Sequence, residues 1–233
     1  MKVATFNTQH CLNYLEQRID FDLMAKVILD LDADVVGLNE MRGAGEDPEY
    51  TAQTEELAAR TGMHYFFAPA IEVPNGGPYG NAILSRVPIL SVERVPIPDP
   101  DPATREDTPG YESRCVLKAV LEGGITVLVS HFGLHRDEAE NAVSTVLDLA
   151  SDEKCILMGD FNLPPESPLL LPIRERMQDA ASAFDGEKLS WPSDAPRTKI
   201  DYIFLSRDAR IVSADIPAIV ASDHRPHIAE IEL

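Results

Sequence analysis

The chain has 233 residues, 44% of them apolar and 6% aromatic, which fits one large domain or two small ones and excludes a disordered chain. Lys and Arg number 20 against 39 Asp and Glu, a net charge of −19, and no basic cluster of the kind that displaces counterions from a duplex is present. The three cysteines, Cys11, Cys115 and Cys155, show no CxxC spacing, so neither a disulfide framework nor a zinc site is indicated.

The N-terminal MKVATFN reads as a strand rather than a leader, because no apolar stretch follows Lys2. No apolar run is long enough to be a transmembrane segment, and a cytoplasmic location is expected. Val3 to Phe6 forms the first buried strand. In DFDLMAKVILDL (20–31) Phe21, Met24, Ala25, Ile28 and Leu29 recur with helical spacing. DVVGL (34–38) is a second strand, and TAQTEELAARTG (51–62) is an amphipathic helix closed by Gly62. Strands follow at 63–68, 80–85, 89–95, 112–121 and 125–130. Residues 96–110 form a proline-rich acidic loop without periodicity, its acidic part (99–107) simply solvated. Helical spacing returns from Arg136 to Ala150 through Ala139, Val143, Val146 and Leu147. After the apolar run KCILM comes a loop with a short helix near 168–178, then strands at 199–206 and 227–233 with a weaker one at 209–214. No repeat or linker divides the chain. Helices between strands in both halves predict two sheets packed face to face, with helices outside.

One pattern recurs along these strands. VATFN ends in Asn7, DVVGLNE in Asn39 and Glu40, TVLVSH in His131, and CILMGDFN in Asp160 and Asn162. Asp201 heads the strand in TKID, and Asp223 and His224 in SDHRP stand just before the last one. Each alone has an ordinary reading as a turn former or cap. Together they describe a pocket rich in hard oxygen donors at one sheet edge. Asp160 and Asn162 point the same way if the chain stays extended, and a turn at Gly159 also exposes both. Carboxylates and amides without thiolates favour Mg²⁺ or Mn²⁺, one ion or two, over Zn²⁺. Two histidines beside such carboxylates suit hydrolysis of a phosphoester.

The set TFN, VVGLNE, YGNAILSR, VSHF, MGDFN, KIDYIF and SDHRP, in this order, resembles the endonuclease/exonuclease/phosphatase (DNase I-like) superfamily of magnesium-dependent phosphoesterases. The resemblance spans residues 3 to 233 and implies one α/β domain over 1–233, a four-layer sandwich of two central mixed sheets flanked by helices. It implies that Glu40 is the principal metal ligand, with Asn7 beside it and Asp223 on the same cation. Asp160 resembles the residue that orients or deprotonates the attacking water or holds a second metal, and Asn162 the amide that steadies nucleophile and phosphate. His224 resembles the catalytic histidine, Asp201 its carboxylate partner, and His131 the second histidine facing the phosphate. Arg114 matches an arginine near the active site of such proteins, against a plain reading as a strand-edge surface residue.

Two departures qualify the match. Gln9 stands where a second Asn or Asp is common, and brings no charge. No Glu occurs in PYGNAILSR to support His131, so another group must orient that ring, and DNase-type specificity is not implied. Tyr79 and Asn81 border this stretch, either facing substrate or serving a turn built on NGGPYGN (75–81). His10 borders the expected pocket, His135 opens a helix, and His64 and His227 read as core or surface residues. Trp191, in LSWPSDAPRTKID, is expected to pack rather than to meet substrate. The expected activity is metal-dependent hydrolysis of a small-molecule or lipid-derived phosphoester, mono- or diester. A nuclease of the same fold is the alternative, though the acidic charge disfavours nucleic acid as a partner, and a non-catalytic binding module is the third.

Overall fold

The computed structural model describes residues 1–103, 105 and 109–233. In chain order the elements are β1 (Lys2–Asn7), β2 (Leu12–Asn13), β3 (Arg18–Ile19), α1 (Phe21–Leu31), β4 (Val35–Arg42), α2 (Gln53–Thr61), β5 (His64–Glu72), β6 (Pro78–Ser85), β7 (Ile89–Pro96), β8 (Cys115–Leu121) and β9 (Ile125–His131). They continue with α3 (Arg136–Leu149), β10 (Cys155–Asp160), α4 (Leu171–Arg176), β11 (Gln178–Asp179), β12 (Asp201–Leu205), β13 (Arg210–Asp215) and β14 (His227–Glu232).

Two six-stranded mixed sheets, ordered β13-β14-β1-β4-β6-β5 and β11-β12-β10-β9-β8-β7, form the centre of the fold. Each has one parallel pair, β1 with β4 and β9 with β10; the other pairings are antiparallel. Alternation along each strand fills three apolar layers. Val3, Val35, Ile83, Val129, Ile156 and Met158 lie between the sheets. Phe6, Val36 and Leu84 pack outward against Met24 and Ile28 of α1 and Leu57 of α2. Leu128, Leu157 and Phe204 pack outward against Val143 and Val146 of α3 and Ile173 of α4. This is the four-layer arrangement expected. The sheets approach so closely at Gly37 that a Cβ there would come within 2.7 Å of the Met158 sulfur.

Several boundaries differ from expectation. α1 turns Val27 and Leu31 inward with Met24, Ala25 and Ile28, while Leu29 is 43% exposed. The strand expected from 112 begins at Cys115, leaving Arg114 on the approach to it. Helix 168–178 divides into a 3₁₀ turn, Pro168–Leu170, and the short α4. β2, β3 and β11 are too short to carry a period in sequence. Of the acidic loop expected to be solvated, positions 104, 106 and 107 lie outside the described residues.

Candidate active site

The topology explains why polar residues far apart in sequence meet. The parallel pairs β1/β4 and β9/β10 deliver their C-terminal ends to one edge, with Asn7 opposite Asn39 and Asp160 opposite His131. Antiparallel neighbours start at that edge: Asp201 of β12 pairs with Asp160, and β14, entered just after His224, runs against β1. A cleft of about 610 Å³ opens there, walled by Glu40, Tyr79, Glu112, Arg114, His131, Asp160, Asn162, Asp223 and His224 among others.

Local backbone aims these side chains. The β4–β6 register shifts between Leu38 and Met41, and Glu40 inside this bulge has φ of 62°. Such irregularities re-aim side chains at strand ends. Asn39 therefore turns into the seam between the sheets: its Oδ1 accepts the Asp160 N–H at 2.9 Å, and its Nδ2 donates to Asn81 Oδ1 at 2.8 Å and to the Ser130 carbonyl at 3.1 Å. Glu40 turns to the cleft. At the end of β10, Gly159 has φ of 146° and lies so close to Ser130 that a Cβ would stand 1.8 Å from its carbonyl oxygen. Asn162, at φ of 51°, follows in a turn and not an extended strand. Its N–H donates to Asp160 Oδ1 at 2.9 Å and its Nδ2 to the Phe132 carbonyl at 3.0 Å, with His131 Nε2 at 3.1 Å.

The side-chain amide of Asn7 donates to Glu40 Oε1 and Asp160 Oδ2, each at 3.0 Å. One amide thus gathers two carboxylates from different sheets. His224 Nε2 lies 3.6 Å from Asp160 Oδ2, and His224 Nδ1 lies 2.9 Å from Asp201 Oδ2. His131 Nε2 is 3.5 Å from Asp160 Oδ2. Arg114 Nη1 is 3.1 Å from His131 Nδ1, and Arg114 Nη2 is 3.0 Å from Glu112. A guanidinium can only donate, so His131 Nδ1 accepts from Arg114. Arg114 is thereby the group that orients His131.

Charges follow from burial. Desolvation raises the Glu40 carboxyl; the Asn7 hydrogen bond opposes this and the Asp223 charge adds to it. Desolvation pushes Asp160 up to about 7 despite the attraction of His224. For His224, burial opposes the charged form, but Asp201 and Asp160 outweigh it and raise the imidazole to about 10. Burial, then Arg114 and His224, hold His131 well below its ordinary value. The cleft therefore pairs a cationic His224 with a neutral His131.

The donor set fits a hard divalent cation. Glu40, Asp160 and Asp223 bring carboxylate oxygens to the cleft wall, whereas Asp160, Asp201 and His224, with ligand atoms all within 4.8 Å of one another, include an imidazole already bonded to Asp201. Buried carboxylates whose protons are held on by desolvation are what a site short of positive charge looks like.

Most sequence-assigned residues converge: Glu40, Asp223, Asp160, Asn162, His131, His224, Arg114 and Tyr79 line the cleft, and Asp201 lies buried behind His224. Two differ. Asn81, assigned to substrate, is 2% exposed and spends its amide on Asn39 and the Cys115 carbonyl, holding the seam between the sheets. Asn7, assigned as a ligand, meets the carboxylates with its amide nitrogen, which cannot ligate; its oxygen accepts the Gln9 N–H at 3.0 Å. Elsewhere, Trp191 is 39% exposed on the cleft wall, where packing was expected. His10 lies outside that wall, pushed down to about 4 by burial and Arg42. His135 caps α3 and stacks on Tyr111, ring centroids 3.9 Å apart. Sequence reasoning missed Asn39 as the clasp between sheets and Glu112 as the partner of Arg114. The one available signal for Asn39 was an amide beside Glu40 in an otherwise apolar strand.

The model of the Endonuclease/Exonuclease/phosphatase family matches residues 4–224. No curated protein matches the sequence. Among solved structures, the endonuclease/exonuclease/phosphatase from Beutenbergia cavernae DSM 12333 superposes with a TM-score of 0.77 at 21% identity, covering 100% of this chain and 71% of that one. That from Bacteroides vulgatus gives 0.78 at 19% identity, with 100% and 98% coverage. The Bacteroides thetaiotaomicron mannosyl-6-phosphatase Bt3783 gives 0.77 at 15% identity, with 100% coverage of both chains. With the motif order, the two-sheet sandwich and the match over nearly its whole length in agreement, the chain belongs to the endonuclease/exonuclease/phosphatase family, whose members are hydrolases acting on phosphoesters.

Proposed function

We propose that the protein is a divalent-cation-dependent phosphoesterase that hydrolyses a small-molecule or lipid-derived phosphoester by in-line attack of water. The observation that carries this reading is the Asn7 amide holding Glu40 and Asp160 together, beside the His224–Asp201 pair and the Arg114-oriented His131. Glu40 and Asp223, with Asp160 adjoining, would hold Mg²⁺ or Mn²⁺. His224 is a poor ligand here because it carries a proton on each nitrogen near neutral pH. When bound, the cation would neutralise charge growing on the phosphoryl oxygens.

The chain's own groups supply the rest. Asp160, its Oδ1 held by the Asn162 N–H, takes a proton from the attacking water. Protonated His224, kept charged by Asp201, places a positive donor against the phosphoryl group. His131 presents its neutral ring to the phosphoryl group, and Arg114 adds a fixed positive charge. Asn162 holds the turn that seats Asp160 and His131 side by side.

A small substrate is favoured over a polynucleotide because Arg114 is the one Lys or Arg on the cleft wall among the described residues, and the chain carries −19 overall. The fold likeness to a protein named as a mannosyl-6-phosphatase accords with a compact ester.

The test is hydrolysis of p-nitrophenyl phosphate, bis-p-nitrophenyl phosphate and short DNA and RNA by protein stripped with EDTA, then resupplied with Mg²⁺ or Mn²⁺. Cation-restored hydrolysis of the small esters, abolished in His224→Ala, is expected. Preferred cleavage of the oligonucleotides would establish the nuclease alternative. Phosphate binding with no turnover of any ester would leave a binding module.

A further inference from the structure

The wall of the cleft carries more than charge. Trp191 is 39% and Leu134 66% exposed, and both join Pro164 and Ile200 around the catalytic groups. Single exposed apolar residues are ordinary on a protein surface. Two large ones bordering a polar pocket are placed to contact whatever the pocket admits.

The backbone that carries Trp191 is tied down by hydrogen bonds. Its N–H donates to the Thr198 carbonyl at 3.0 Å, and its own carbonyl accepts from Thr198 at 3.1 Å and Arg197 at 2.8 Å. The same loop is stitched to the segment bearing Asp223 and His224. Ser193 N–H donates to the Asp223 carbonyl at 2.7 Å, Ser193 Oγ to the Ser222 carbonyl at 2.6 Å, and Arg225 N–H to the Ser190 carbonyl at 2.8 Å. Loop backbone at the indole is thus fixed relative to the catalytic histidine before any ligand arrives, which removes an ordering cost from binding. Aromatic faces accept flat apolar surfaces by stacking.

Charge narrows the partner further. Beyond Arg114, which is assigned to the phosphoryl and paired with Glu112, the wall carries no Lys or Arg among the described residues. A leaving group with further phosphates or carboxylates would find no countercharge there. A neutral one needs none.

We infer that the cleft takes a phosphate ester whose leaving group is a single uncharged ring, packed flat on the Trp191 indole and against Leu134. Aromatic rings and the CH face of a pyranose share this chemistry. The inference rests on the phosphoesterase reading and deepens it.

Trp191 is the only tryptophan in the chain, so its emission reports on this spot in the intact protein. The Mg²⁺-loaded protein is titrated with phenylphosphonate and methylphosphonate, which are not hydrolysed, and glucose 6-phosphate is compared with glycerol phosphate as inhibitors of p-nitrophenyl phosphate hydrolysis. Phenylphosphonate, glucose 6-phosphate or both should bind at least tenfold more tightly than their ringless counterparts, and phenylphosphonate binding should change the emission. Which ring is favoured separates arene from sugar. As inhibition constants, the preference should collapse in Trp191→Ala and return in Trp191→Phe. Equal binding of ring and ringless ligands, or a preference that survives Trp191→Ala, would overturn the inference. If cation-dependent hydrolysis is intact in those experiments, the phosphoesterase reading stands and only the ring subsite falls. If no ester is hydrolysed and no phosphonate binds, both fall together.

Discussion

His224 Nδ1 lies 2.9 Å from Asp201 Oδ2, with His224 4% exposed and Asp201 wholly buried. Burial alone would strip the imidazole of its proton; the carboxylates of Asp201 and Asp160 reverse the balance and raise it to about 10. Asp201→Asn keeps the shape and removes the charge. We expect kcat to fall by about 10²–10³, the usual effect of losing one transition-state electrostatic contact. Because a protonated His224 is required and its pKa drops without Asp201, the alkaline loss of activity should begin at lower pH. A kcat profile between neutral and alkaline pH measures this, and an unmoved alkaline limb counts against the role.

Asp160 predicts a pH-dependent stability in metal-free protein. Its folded value, about 7, lies above the ordinary 3.8, so the folded state binds the extra proton between these values. Stability from this group is complete below about 4 and is lost as pH rises through about 7. Asp160→Asn removes that dependence. The variant should melt several degrees above metal-free wild type at pH 8, a shift on the order expected for a kcal/mol or two, and the gap should close near pH 4. Calorimetry at both pH values decides it. A gap that does not change with pH refutes this assignment.

Arg114 faces two ways, with Nη1 toward His131 and Nη2 toward Glu112, its side chain 10% exposed. Lysine lacks the planar fork whose two nitrogens reach these partners separately. Arg114→Lys should raise KM for a phosphoester about tenfold, a loss of ~1.4 kcal/mol in binding, with a smaller change in kcat. Steady-state kinetics separates the two constants. Unchanged KM would remove Arg114 from the phosphate site.

Gly159→Ala tests the turn that exposes Asp160. The site combines φ of 146° with a Cβ position 1.8 Å from the Ser130 carbonyl oxygen. Strain and overpacking together should cost about 3 kcal/mol or more. Urea unfolding should show a lower midpoint at unchanged slope, and a midpoint within error of wild type would show that the backbone accommodates the methyl group.

The strands with an apolar period, the longer helices and the convergence of Glu40, Asp160, Asp201, Asp223 and His224 were legible in the sequence. Two-sided burial makes core strands continuously apolar, so the polar residues ending them stand out. Orientation was not legible. Asn81 and Tyr79 lie two residues apart in β6, yet Tyr79 meets the cleft, while Asn81, farther along the strand and 2% exposed, spends its amide on Asn39 and the Cys115 carbonyl. Asn7 gave no sign of which end of its amide would face Glu40. That was settled by Asp160 arriving from the other sheet and Gln9 N–H taking the oxygen.

What the sequence determined by itself is local: period, caps, the glycines at 37 and 159, and a set of carboxylates, amides and histidines at strand ends. What tertiary structure alone decided is pairwise: Arg114 on His131, Asn39 clasping Asp160, Asn7 between two carboxylates, and Trp191 held open on the wall. The physical reason is that each of these pairs joins segments that approach only when the two sheets pack face to face or their loops dock. Burial, and with it the charge of every titratable group in the cleft, exists only after that packing has excluded water.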